Sequence, residues 1–175
     1  MICFGTLIFF SLTGLTLNHP TWFGASEFLV EDVTGTLPLE ILKPEINQLS
    51  VVEQLRKDYR LKGSVKEFEV YEADCMVVFK GPGYAADIFI DRETGNFDLT
   101  ETKAGFVAII NDLHKGRDTG TAWSWVIDIS AIVILLSGFS GIGLLFYIKR
   151  RRTSGLQIAA LGTFLLIAIY FWFVP

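Results

Sequence analysis

The feature that most constrains this chain is where its charge is absent. Residues 1–17, 123–148 and 156–175 form three apolar runs that share a single charged residue, Asp128, although 19% of the 175 residues are charged. A helix of about 20 residues crosses a hydrocarbon core roughly 30 Å thick, so the three runs read as transmembrane helices. The excluded charge collects between the first two: residues 18–122 carry 11 Lys and Arg against 18 Asp and Glu, a net of −7. An apolar content of 51% is too high for one ordinary soluble domain. The expected architecture is therefore a membrane α-helical protein with a small domain inserted after its first span.

Orientation follows from the cations. The link 149–155 holds Lys149, Arg150, Arg151 and Arg152 and no acid, so the positive-inside rule makes it a basic cytoplasmic hairpin and places the inserted domain and the C-terminus outside. Aromatic residues agree, since Trp22, Phe23, Trp123, Trp125 and the string Tyr170 to Phe173 all fall at the expected outer interface. No basic residue precedes the first run. A cleavable signal peptide ending near Ser26 is the competing reading of that run, and an N-terminally truncated span is the other explanation. Nucleic acid is disfavoured as a partner because the exposed domain is acidic and the basic run is of the membrane-orienting kind.

The inserted domain reads as α+β with an antiparallel sheet. Ser50 and Glu53 have capping-box spacing, and Val51, Leu55 and Tyr59 then share one face of a helix that Gly63 is expected to end. Beyond it the period becomes two: Phe68 and Val70; Cys75, Val77 and Phe79; Ala86, Ile88 and Ile90; Phe97 and Leu99. These are four half-buried strands, with hairpins at Gly81-Pro82-Gly83 and at Arg92 to Gly95. A last helix is expected over 103–115, with Phe106, Ile109, Ile110 and Leu113 on one side and Gly116 and Gly120 breaking it. Cys3 and Cys75 lie too far apart in this plan to pair. The acidic groups around Glu67 to Asp74 and Asp87 to Glu93 read as solvated strand faces.

Three strings carry a family resemblance: Phe10 to His19 (FSLTGLTLNH), Leu113 to Gly120 (LHKGRDTG) and Trp125 to Ala131 (WVIDISA). With them the chain resembles the PepSY-associated transmembrane proteins of bacteria, and Ile88 to Gly95 resembles the strand and turn of the PepSY module itself. The resemblance implies an inner-membrane, multi-pass protein whose PepSY-like domain is periplasmic. PepSY modules are associated with peptidase regulation and binding, and larger relatives include haem-containing reductases acting on siderophore-bound iron. The usual Trp-His pair ahead of the first span has no counterpart here.

Both histidines of the chain stand at junctions with the spans: His19 after the first run, His114 before the second. Imidazoles on two helices at one membrane depth are the axial ligand set of a b-type haem, with Asn18 beside His19 and Arg117 placed to meet a propionate. The competing reading is a pair of interfacial histidines bonded to backbone or water. No histidine lies at the inner face, where a transmembrane electron path needs a second redox centre. Asp128 is the other singled-out residue, because a carboxylate at the centre of a membrane helix costs about 2.5 to 3.5 kcal/mol on insertion scales. It reads as an interhelical hydrogen-bond acceptor or a proton relay, with Ser11, Thr13, Thr16 or Asn18 as partners. Ser137, Gly138 and Gly141 form a small-residue surface suited to close helix approach and to a helix–helix oligomer. The first expectation is a non-enzymatic membrane protein that binds a peptide or envelope protein through its PepSY-like domain. The second is a b-haem electron carrier or reductase subunit supporting periplasmic siderophore or metal uptake.

Overall fold

The computed structural model describes residues 2–148 and 152–175. The chain groups into two compact units, residues 7–128 and residues 1–6 with 129–175.

In the first unit, the greater part of helix α1 (Ile2–Asn18) leads into a five-stranded antiparallel sheet. Its strands are β1 (Phe28–Thr36), β2 (Ser64–Val70), β3 (Asp74–Gly81), β4 (Tyr84–Asp91) and β5 (Asn96–Ala104), in the order β1-β5-β4-β3-β2. The last four are the strands that the two-residue period predicts. Their inward positions are register partners, with Cys75 opposite Ile90, Val77 opposite Ile88 and Ile88 opposite Leu99. Helix α2 (Gln48–Tyr59) covers that face through Val51 and Leu55, which are fully buried with Val77, Phe79, Ile88 and Ile90 in one core. Tyr59 packs edge-on against Phe97.

The sequence reading omits β1. Phe28, Leu29 and Val30 are consecutive apolar residues followed by Glu31 and Asp32, so no alternation marks the strand. It is an edge strand with both faces largely open, and a strand that buries neither face has no reason to alternate. Two helix boundaries also differ. The N-cap of α2 is Asn47, whose side chain accepts the Ser50 N–H at 3.1 Å; Ser50 therefore lies inside the helix and its hydroxyl is not the cap. The helix closes at Arg60, which is left-handed (φ +54°), and not at Gly63. Gly63 instead lets two backbones meet: at φ +78° an added Cβ would sit 2.3 Å from the Lys80 carbonyl oxygen. Helix α3 is Phe106–Lys115, since Lys103 and Ala104 complete β5 opposite Leu29 and Phe28.

The β4–β5 turn shows how local polar groups hold the sheet. Asp91 accepts the N–H groups of Thr94 at 3.0 Å and Glu93 at 2.7 Å, and these bonds hold its carboxyl below the usual carboxylate range. Gly95 takes the positive φ expected of it, +77°.

Helix α4 (Gly120–Tyr147) begins in the first unit and continues into the second, which also holds α5 (Arg152–Phe173). With 28 and 22 residues, α4 and α5 are long and apolar enough to cross a membrane; α1, at 17 residues, is apolar but shorter. Residues 149–151 of the expected basic hairpin lie outside the described residues, and Arg152 to Gly155 open α5. Cys3 Sγ lies 3.2 Å from Ser137 Oγ within the second unit. An added Cβ on Gly138 or Gly141 would meet nothing within 4 Å.

The core predicts a clear contrast between neighbours. Ile88→Ala removes a fully buried side chain and should cost about 2 to 5 kcal/mol. Phe89→Ala, on the open face of the same strand, should change stability by only about 0.5 kcal/mol. Thermal unfolding of the detergent-solubilised protein checks both; equal losses would show that the two faces are not distinguished as described.

Candidate functional site

The buried polar side chains of the first unit, Thr13 and Asn111, lie where α1 meets α3. The position of α3 is set by three contacts. Asp112 accepts the Gly83 N–H at 2.9 Å and so ties the helix to the β3–β4 turn. Gly83 is required there, because an added Cβ would lie 2.5 Å from Ile109. At the other end Gly116 turns left-handed and the Arg117 N–H returns to the Asp112 carbonyl at 2.9 Å, a helix stop of the Schellman type. The Trp123 indole N–H then donates to the Leu113 carbonyl at 2.8 Å.

Against this helix α1 places Thr13 and Thr16. The Thr16 hydroxyl donates to Asn111 Oδ1 at 2.6 Å, and Thr13 Oγ1 lies 2.5 Å from His114 Nδ1. Thr13 and Asn111 are both buried. The one hydroxyl proton of Thr13 has two close acceptors in reach, the Phe9 carbonyl at 2.6 Å and His114 Nδ1 at 2.5 Å; when the carbonyl takes it, the oxygen accepts from His114. In that arrangement the imidazole proton sits on Nδ1 and Nε2 keeps a free lone pair. Burial, and secondarily the Lys115 charge, lowers the His114 pKa. Phe10 packs edge-on against the ring with centroids 5.0 Å apart.

The other singled-out residues are placed differently. His19 follows the last turn of α1, and its ring stacks on Trp22 at 3.9 Å, nearly parallel. Asn18 and Asp128 are exposed, and neither side chain has a hydrogen-bond or ion-pair partner among the described residues. Thr13 and Thr16, expected as partners of Asp128, are bonded to α3 instead. Arg117 is exposed and lies 3.9 Å from Asp112.

Arg117 also lines a cleft of about 410 Å³. The end of α1 (Thr16, Leu17), the β3–β4 hairpin (Lys80, Gly83) and α3 with its exit (Asn111, Lys115) form its walls. Neither histidine lines it. Reading the sequence missed the Thr13/His114 and Thr16/Asn111 pairs and the cleft cations. One signal was available: Thr13 and Thr16, three apart in an otherwise apolar helix, match Asn111 and His114, three apart in α3.

The tautomer is measurable. In ¹⁵N-histidine-labelled protein above the titration range, His114 should show a protonated Nδ1 and an unprotonated Nε2, and Thr13→Val should abolish that preference. The opposite tautomer in the unsubstituted protein would overturn the network. Because the folded pKa lies below the unfolded value of about 6.5, the unfolded state binds more protons in that window. His114 should therefore make stability fall as pH drops through about 6.5, and His114→Gln should flatten that part of the profile.

A family model described as Putative PepSY_TM-like matches residues 1–175, the whole chain. No curated protein and no solved structure gives a match.

Proposed function

The chain belongs to the PepSY_TM-like family, a family of PepSY-associated membrane proteins, and from that premise we propose that it is a non-enzymatic binding and regulatory module. In this reading it sits in a bacterial inner membrane with the sheet domain and C-terminus periplasmic and residues 149–155 cytoplasmic. The ligand is a peptide or an extended segment of an envelope protein. The observation that carries the reading is β1. It is nine residues long and ends the sheet, and Phe28, Leu29 and Val30 are each more than half exposed. Natural edge strands of this length are normally shortened, charged or covered, because their free backbone groups recruit another strand. An extended peptide would add beside β1 by main-chain hydrogen bonds, with Phe28 and Val30 on one face and Leu29 and Val33 on the other selecting its side chains. Hydrogen–deuterium exchange on the solubilised protein with a library of extended peptides tests this. Binders should raise protection in residues 28–36; binders that protect only other segments would overturn it.

A second reading, a b-haem electron carrier or reductase subunit supporting periplasmic metal uptake, is favoured by His114. A histidine whose Nδ1–H is held by an oxygen keeps Nε2 free and correctly turned for a metal, the usual arrangement around ligating imidazoles. In this reading His114 would hold the iron through Nε2, His19 would be the second ligand once its ring leaves Trp22, and Arg117 would meet a propionate. Haem, when bound, supplies one-electron chemistry. Thr13 would orient the His114 ring, and Phe10 would keep water from it. A reduced-minus-oxidised spectrum after expression with ample haem decides: a Soret and α-band signal lost in His19→Ala and in His114→Ala supports the haem reading, and colourless protein removes it.

A further inference from the structure

We propose that the cleft at the end of α1 is a binding site for a phosphate anion carried by a phospholipid, with Lys80, Lys115 and Arg117 as its cationic wall.

Three observations carry it. The first is charge. In a domain of net charge −7, Lys80, Lys115 and Arg117 line one cleft. Lys80 and Lys115 have no ion-pair partner among the described residues, and Arg117 is only loosely approached by Asp112. Of the two acids of the same wall, Asp118 is paired with Lys66 at 2.9 Å, whereas Asp112 accepts the neutral Gly83 N–H and keeps its charge, offsetting one of the three cations. The cleft therefore presents an excess of positive charge to whatever enters it.

The second is the helix beside it. On α1, Phe4, Ile8, Leu12 and Leu15 recur at intervals of four, four and three, and each is about half exposed or more. The opposite side of the helix carries the buried Thr13, and Thr16 continues the row one turn beyond Leu12, on the edge that meets α3. Such a stripe is matched by acyl chains and poorly by water. The cleft opens at the C-terminal end of this stripe, where Thr16, Leu17 and Pro20 line it. A lipid whose tail lay along the stripe would carry its phosphate to the cations, and this depth assignment rests on reading α1 as membrane-embedded. The third is the lining itself, which mixes those cations with Leu17, Ala25, Phe28 and Ala108. That combination suits a glycerol-phosphate joined to hydrocarbon better than a bare ion.

Net-anionic phosphatidylglycerol should bind in preference to zwitterionic phosphatidylethanolamine, since cations outnumber acids in the lining. Native mass spectrometry of the full chain released from detergent tests this, with each lipid, glycerol 3-phosphate and inorganic phosphate as separate probes. Retention of phosphatidylglycerol over phosphatidylethanolamine, reduced about tenfold or more in Lys80→Gln/Lys115→Gln and unchanged in Lys57→Gln of α2, is the expected result. Equal retention of the two lipids, or equal loss in Lys57→Gln, overturns the proposal. Glycerol 3-phosphate or inorganic phosphate binding as tightly as the lipid would keep the anion site but overturn its lipid source. Lys115→Gln alone, at an exposed position, gives a graded loss if the double variant is unstable. Carbonate extraction scores membrane insertion separately, and exchange at β1 scores the peptide reading separately, so the failure of either is distinguishable from failure here.

Discussion

The structure of the first unit depends on two hydrogen-bonded pairs between α1 and α3. Thr13 meets His114 and Thr16 meets Asn111, so a three-residue step on one helix is matched by a three-residue step in the reverse direction on the other. Two of these four side chains are buried. A buried polar group without a partner loses its full hydration, at a cost of about 1 to 3 kcal/mol, so the pairs specify one register. A slip of one residue would turn an apolar side chain toward His114 and leave the imidazole N–H unmet. The apolar helix and the acidic domain are thus joined by polar contacts.

That junction also explains the distribution of charge around it. Of the acids near the α3 exit, Asp112 holds the β3–β4 turn and Asp118 pairs with Lys66. At the β1 edge Glu31 stands directly opposite Glu101, and Lys103, two residues further along β5, bridges both carboxylates and offsets their repulsion. Acidity of the domain as a whole is therefore compatible with a local excess of cations at the end of α1. Net charge hides this, because it does not record that Lys80, Lys115 and Arg117 share one cleft.

What could be read from the residues divides along burial. β2 to β5 and the buried face of α2 follow from the period, because Val77, Ile88, Leu99, Val51 and Leu55 must all avoid water and their spacing records it. The hairpins follow from Gly83 and Gly95, which have conformations that other residues adopt at a cost. β1 escapes because it buries neither face and so leaves no such record. The α2 cap escapes for a different reason: Asn47 and Ser50 both qualify as N-caps by type, and only the Asn47-to-Ser50 geometry decides between them. The α1–α3 pairs are legible as spacing but not as partners, since nothing local says which helix the threonines will face.

The two histidines, which look equivalent along the chain, are made different by their neighbours. Burial disfavours the charged form of His114, and the acceptor that takes the Thr13 proton decides which ring nitrogen stays free. His19 has a stacked indole and no hydrogen bond to its ring among the described residues. A ring held by an in-line hydrogen bond is oriented, whereas a ring held by stacking can slide and rotate over its partner at small cost. Any role shared by the pair would therefore be asymmetric: His114 would offer Nε2 from a ring held by Thr13, and His19 would have to leave Trp22. Thr13 is one residue of an apolar helix, so the chemistry open to His114 is set by α1 as much as by the domain that carries it.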